Sequence, residues 1–526
     1  MSLLGLSNEV IDLILESCDK SSIKAIRLVD KRLHKLGNRH LIQELQLHYN
    51  RESLDILYAL STSKQDIAKG IQAIWLQIDR LEEFKTFDRW DEKRQREYDE
   101  HDFLLEDWKD YLRAHDVAVN SRIAMPAIRR DRLVPAPGTV RKRDILPQLA
   151  KDYLYLCYAK YCQLVEQQRE LDRSHELRER LAAFFRVLSK LSGIWITFGG
   201  GVRKCSTFRS ATFREGLVFP NSDWTGDYDE MVRAASQILL GALDARIKPD
   251  TLVFGGLNYR FLTQTKQTMT DIANVLQHVE HLQWEVGDTF VPRPWDHEGS
   301  EPEDDEDDES RHIHQAGFAE MHAIFDTGRF ADFLSSAEKL RTLVISLPDI
   351  PDTRLAHVDL ASLVGSNRFP VLDSFSIRNV MIAPDALTNF LLRHKETLTQ
   401  LRMCDLHTFR IPNPNTTTTW QGWFREMSGK LPNLRTVTLR GTFDEPGSPM
   451  YIFGWTMGKY IGTSLSRAVE TYLIHGGAEV PLPSREASRD AFSQLRVQER
   501  RDRAGQAIVP EIKPLGWSFN WEDWYC

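Results

Sequence analysis

Leu340-Arg341-Thr342-Leu343-Val344-Ile345 and Asn433-Leu434-Arg435-Thr436-Val437-Thr438-Leu439 repeat one pattern. A leucine closes a helical stretch, a basic residue and a threonine follow, and a short strand then alternates its side chains between two faces. The pattern recurs at Leu252-Val253-Phe254, Leu282-Gln283-Trp284, Phe375-Ser376-Ile377 and Leu401-Arg402-Met403. Aligned on the last inward residue of each strand, the series runs Phe254, Trp284, Ile345, Ile377, Met403, Leu439, at steps of 30, 61, 32, 26 and 36 residues. The step of 61 is about two periods and contains a run of acids. Helical spacing precedes the strands: Leu177, Leu181, Phe184, Phe185, Leu188 and Leu191 lead into Ile194-Trp195-Ile196-Thr197-Phe198. No helix–strand unit of this size covers its own apolar face, so its neighbours must.

An irregular period near 30 predicts a leucine-rich-repeat-like α/β solenoid with insertions. The asparagine ladder of the strict repeat is missing. Upstream, Leu45-Gln46-Leu47-His48 reads as a strand, Ser53 to Leu60 as a helix, and Ile74-Trp75-Leu76-Gln77-Ile78 as a second strand with Ile74, Leu76 and Ile78 on one face. The repeat region is therefore expected over 48–526, with a charged insertion at 80–147 and a disordered acidic loop at 293–315. In the first insertion, Arg80 to Arg113 predicts a solvated helix or helix pair with a thin apolar stripe that includes Phe84, Phe87 and Trp90. Ile123 to Pro147 has four prolines and no period, the mark of an exposed loop. In the second, Glu298 to Ser310 packs nine carboxylates into thirteen residues, which repel and resist burial. The tail, with Trp517, Trp521 and Trp524, is expected to fold back over the open end of the last repeat.

The N-terminal stretch Leu3 to Leu47 is different in kind. Twenty of its 45 positions are apolar, more than a segment of that size hides alone. Val10, Leu13 and Ile14 keep helical spacing, and Ile11 with Leu15 adds a second stripe to the same helix. Asp19 or Ser21 can cap a following helix on which Ser22, Ile26, Val29 and Leu33 share one face. Lys31, Arg32, His34 and Lys35 load its C-terminal end, and Gly37-Asn38 stops it.

Leu6-Ser7-Asn8-Glu9-Val10, then Ile14-Leu15, then Ile26-Arg27-Leu28-Val29-Asp30-Lys31-Arg32-Leu33 resembles an F-box, in the order Leu-Pro-x-Glu, aliphatic helix, loop and "L-R-x-V-x-K-R" helix. Ser7 stands where that family has proline, and no tryptophan follows Lys31-Arg32. The resemblance covers about a tenth of the chain. With a small all-α F-box over 1–47 and repeats over 48–526, the chain resembles the fungal substrate receptors of SCF (cullin–RING) ubiquitin ligases. That resemblance implies a non-catalytic adaptor: the head docks on a Skp-type adaptor, and the repeat surface holds an unidentified protein for ubiquitination. The docking residues it implies are Leu6, Asn8, Glu9, Ile11, Ile14, Leu15, Ile23, Ile26 and Leu28. If the chain itself seals Ile11, Leu15 and Ile23, the ligase-receptor reading loses its footing. The rival expectation is a repeat scaffold unrelated to ubiquitin, with the N-terminal helices as its cap.

Composition bounds the rest. A chain of 526 residues, 42% apolar and 27% charged, is that of a globular protein with more than one core. A net charge of −8 argues against a general nucleic-acid binder. Six scattered cysteines without a Cys-x-x-Cys pair read as reduced thiols, no run approaches a membrane span, and the opening residues are not a signal peptide. The expected location is cytoplasm or nucleus. Phe198-Gly199-Gly200-Gly201 and Phe254-Gly255-Gly256 lack phosphate-loop spacing and read as turns after strands. His312-Ile313-His314 beside the acidic run reads as adventitious rather than a built metal site. No nucleophile motif is present, so no catalytic residue, metal ligand or cofactor is assigned.

Overall fold

The structure, a computed structural model, describes residues 6–98, 111, 142–198, 228–287, 317–348, 358–408, 419–444, 451–453 and 462–482. The chain is α/β and divides into two compact units: Met1–Ser189 with Phe198–Gly241, and Lys190–Thr197 with Ala242–Cys526.

The first unit opens with three helices, α1 (Asn8–Glu16), α2 (Lys20–Ile26) and α3 (Lys31–Asn38). Strand β1 (Glu44–His48) follows, then helices α4 (Arg51–Thr62) and α5 (Gln65–Ala68), then strand β2 (Ala73–Gln77). The two strands pair in parallel, Leu45 beside Ile74 and Leu47 beside Leu76. All five residues of β2 are buried, so Trp75 and Gln77 are covered as well as the face predicted from alternation. Helix Phe87–Tyr98 meets the long helix Lys142–Arg173 through aromatic rings, with Phe87 stacked on Tyr155 at 4.2 Å, and Phe84, ahead of the helix, lies 5.5 Å from Tyr161. The exposed-loop reading of 123–147 lies outside the described residues as far as 141, but from Lys142 onward the chain is helical, which corrects it there.

A buried ion pair ties the long helix to the strands. Arg80 grips both carboxylate oxygens of Asp172, and the Tyr49 hydroxyl donates to the same carboxylate at 2.9 Å. The Arg80 guanidinium lies 4.1 Å over the Tyr49 ring. Burial is the main reason the Tyr49 phenol is held protonated well above its ordinary range. Gln168 completes the joint: its carbonyl accepts from Leu81 N–H, and its amide donates to Tyr49 O.

The second unit carries the larger part of the expected repeat, whose bounds of 48–526 also take in β2 of the first. Its strands are β3 (Gly193–Thr197), β4 (Thr251–Gly255), β5 (His281–Glu285), β6 (Thr342–Ser346), β7 (Ser374–Arg378), β9 (Gln400–Thr408) and β10 (Thr436–Asp444). They pair in parallel in that order, and helices separate them in sequence. A two-residue strand, β8 (Met381–Ile382), pairs with β9, and β11 (Tyr451–Phe453) pairs antiparallel with β10. The six residues aligned from sequence are direct register partners, Phe254–Trp284–Ile345–Ile377–Met403–Leu439, and Ile196 extends the row. All are buried.

The step of 61 residues is not two repeats. Trp284 pairs directly with Ile345, so one repeat carries an insertion there. Two residues beyond the row, Gly256, Asn379, Asp405 and Gly441 all have left-handed backbone, with φ of 73°, 53°, 48° and 72°. Only residue types that enter this region at low cost occupy the bend. The structural reading of Gly255-Gly256 holds. At Asn379 the side-chain amide donates to Leu347 O at 2.9 Å and ties this bend to the end of the preceding strand.

At the far end of the sheet, Glu470 of helix Gly462–His475 accepts from Leu439 N–H at 3.0 Å, which satisfies part of an edge strand. The acidic run, His312–His314, Gly199–Gly201 and the tryptophan tail lie outside the described residues.

Trp284 sits among the rings of Phe254, Phe261, Phe330 and Phe333, 4.8 to 5.7 Å away. Trp284→Ala is expected to cost about 3–5 kcal/mol, read as a lower urea midpoint. A second outcome concerns pH. Sealed His394 accepts from Phe369 N–H at Nε2 (3.0 Å) and bonds Phe390 O through Nδ1 (2.8 Å), and burial lowers its pKa. The unfolded chain then binds the proton more readily. Stability is full above the unfolded pKa of about 6.5 and declines as pH falls through it toward the folded value. The urea midpoint should drop between pH 7 and 5.5, and drop less in His394→Asn.

Candidate interaction surface

The three head helices form around five buried side chains: Ile11, Leu15, Ile23, Leu33 and Leu36. Leu6, Cys18, Ile26 and Leu41 pack against them. Local sequence explains the breaks. Asp19 caps α2 by accepting from Ser22 N–H at 2.7 Å, and its pKa falls, chiefly through that bond. Asp30 repeats the device for α3, accepting from Arg32 N–H at 2.7 Å. The single helix expected across Ser22 to Leu33 is therefore two. The Asp30 cap was visible in Leu28-Val29-Asp30-Lys31, but the apolar spacing masked it.

That break decides the surface. In one continuous helix, Val29 would share a face with Ile26 and Leu33; in the turn between α2 and α3, Leu28 and Val29 point to solvent, 86% and 69% exposed. Val10 and Leu13 of α1 are 42% and 67% exposed. Four of the nine exposed large apolar residues among the described ones thus fall within residues 10–29. Arg32 draws the two segments together, donating from Nε to Asn8 Oδ1 and from Nη2 to Leu6 O, both at 2.7 Å. The start of α3, and with it the Leu28–Val29 turn, is held against the start of α1. A second tie, His40 Nε2 to Asp12 Oδ1 at 3.0 Å, fixes the segment after α3 to α1. At the first turn of α1, hydrogen bonds from its own N–H and from the Ser7 hydroxyl lower the Glu9 carboxyl pKa.

The nine residues expected at a docking face are split. Ile11, Leu15 and Ile23 are sealed inside by their own chain, which corrects their assignment and takes away the footing that the ligase-receptor reading had in them: the packing of α1 and α2 on α3 uses them up. Leu6, Ile14 and Ile26 are half-buried, while Asn8, Glu9 and Leu28 are exposed. The apolar surplus of the head is real, but it lies on Val10, Leu13, Leu28 and Val29, and only Leu28 belonged to the predicted set. Full burial of an aliphatic side chain of this kind stabilises a complex by about 1.5–3 kcal/mol.

Elsewhere in the first unit, a small crevice lined mainly by Leu47, Leu54, Leu57, Leu76, Leu171 and Ile238 is apolar. None of the four described cysteines forms a disulfide, and no described helix is long and apolar enough to cross a membrane. A scan of the sequence against protein-family models finds no match, and a search of curated proteins finds no similar one.

Leu28→Asp adds a charge to a solvated turn and is expected to change unfolding stability by less than about 0.5 kcal/mol. Leu15→Ala removes core volume and is expected to cost roughly 2–5 kcal/mol. Urea unfolding of both variants checks the division between surface and core.

Proposed function

We propose that the chain is a non-catalytic substrate receptor of a cullin–RING ubiquitin ligase, docking through its head on a Skp-type adaptor and holding a protein client on its repeats. The observation that carries the reading is that Val10, Leu13, Leu28 and Val29 stay exposed on a head whose own core is complete without them. Large apolar side chains left outside a closed core are surface suited to a partner. The F-box-like order of residues 6–33 names the kind of partner. Nothing in the reading requires chemistry on this chain: the receptor contributes positioning, and the rest of the complex supplies catalysis.

A second reading, a repeat scaffold with the head as cap, has one observation in its favour. Arg39, at the end of α3, presses its carbonyl so closely on Gly70, just after α5, that a Cβ there would lie 1.6 Å away. The head is thus continuous with the first helix–strand unit.

The readings part on one experiment. Full-length chain is used to capture purified Skp-type adaptor, beside the double variant Leu28→Asp/Val29→Asp. The receptor reading expects capture by the wild type and its loss, by about tenfold or more, in a variant of unchanged melting temperature. Undiminished capture by the variant, or none by the wild type, favours the scaffold.

A further inference from the structure

The sheet of the second unit is finished at its last parallel strand, β10, where Glu470 accepts from Leu439 N–H and β11 pairs with the residues beyond. In the first unit β1 stands at the end of the strand order, with β2 on one side of it. Hydrogen-bond parity shows what its other edge carries. Ala73 N–H donates to Gln43 O at 3.1 Å, and Tyr49 N–H donates to Gln77 O at 3.0 Å. In a parallel pair every second residue turns its main-chain groups to the same neighbour, so Leu45 and Leu47 bond to β2 as well. Glu44, Gln46 and His48 turn their N–H and C=O groups the other way.

His48 is satisfied locally: its N–H donates to Ser53 Oγ at 2.9 Å, and its carbonyl accepts from Asn50 N–H at 2.8 Å. Glu44 and Gln46 are exposed, and among the described residues nothing meets their outward groups. Two donors and two acceptors thus stand along about 7 Å of open edge. Such an edge is a template for another strand.

This one is complementary to itself. In an antiparallel pair, residues that face one another exchange both of their hydrogen bonds. A two-fold axis through Leu45 sets Glu44 against the second copy's Gln46, and Gln46 against its Glu44. All four outward groups of each copy then find partners. An axis through Gln46 would bring Glu44 against His48, whose groups are taken. The first register also suits the charges: each Glu44 carboxylate faces a carboxamide that can donate to it, and the two carboxylates do not face each other. A further residue stands over the same edge. Arg180 lies 4.6 Å over the Tyr58 ring and Arg51 pairs with Glu176, which turns one flank of α4 to the helix Glu176–Phe185. Helical spacing puts Ile56, 39% exposed, on the opposite flank.

We propose that β1 pairs antiparallel with β1 of a second copy, giving a two-fold dimer whose sheet runs across the axis. The inference does not rest on the receptor reading. Antiparallel strands place the two heads, each joined at the start of its β1, at opposite ends of the joint.

Sedimentation velocity of the full-length chain over a wide range of concentration should show a monomer–dimer equilibrium. Gln46→Pro removes an outward N–H and leaves the bonds to β2 in place. It should raise the dimer dissociation constant about tenfold or more at unchanged melting temperature. Glu44→Pro, at the first residue of the strand, should do the same and serves if the first variant does not fold. Leu47→Pro removes an N–H that bonds to β2 and should lower the melting temperature; no change there would overturn the parity and the proposal with it. Amide exchange over residues 42–49 should slow as concentration rises in the wild type and not in Gln46→Pro. A chain that is monomeric throughout, or a dimer undiminished by either proline, overturns the proposal. So does loss of the dimer in Leu28→Asp/Val29→Asp, which would put the contact on the head.

Discussion

A row of side chains running across the sheet, Phe254–Trp284–Ile345–Ile377–Met403–Leu439, is the contact on which the second unit depends. Each strand offers one residue to the row, and each lies against the strands before and after it. No strand–helix pair could bury its member alone, so the repeats hold one another in register. The left-handed residue two places later in four of the repeats interrupts the strand at the same level; in β9 and β10 pairing resumes beyond it with a shifted register. Insertions of any length then pass between strands without disturbing the stack, because loop length adds little to the cost of closing a repeat. The 61-residue step between Trp284 and Ile345 is the clearest case.

In the first unit the corresponding constraint is electrostatic. Arg80, Asp172 and Tyr49 meet where water is excluded, and each satisfies what the others would leave unpaired. Such a cluster gains little net stability over an apolar one, but removing a single member strands a buried charge. It therefore fixes where the helix Lys142–Arg173 sits on β1 and β2. The head follows a different rule. It closes a core of five residues, and Arg32 ties the start of α3 to Leu6 and Asn8 just ahead of α1.

Much of the repeat could be read directly. Alternation within Thr342–Ile345 and Thr436–Leu439 fixes which residues face inward, because a one-residue slip would turn every side chain to the wrong side, and the six aligned residues are register partners as spaced. The head was legible in composition but not in detail. Apolar spacing across Ile26, Val29 and Leu33 suits one helix as well as two, and the choice between Asp30 as a passenger and Asp30 as a cap is made by packing against α1. That choice sent Ile11, Leu15 and Ile23 inward and left Leu28 and Val29 outside. Sequence by itself determined the period, the inward row and the surplus of apolar residues in the head, since these depend on local spacing. Which apolar residues remain uncovered, and which edge of β1 lacks a neighbour, only the tertiary structure decided, because both depend on neighbours that the sequence does not place.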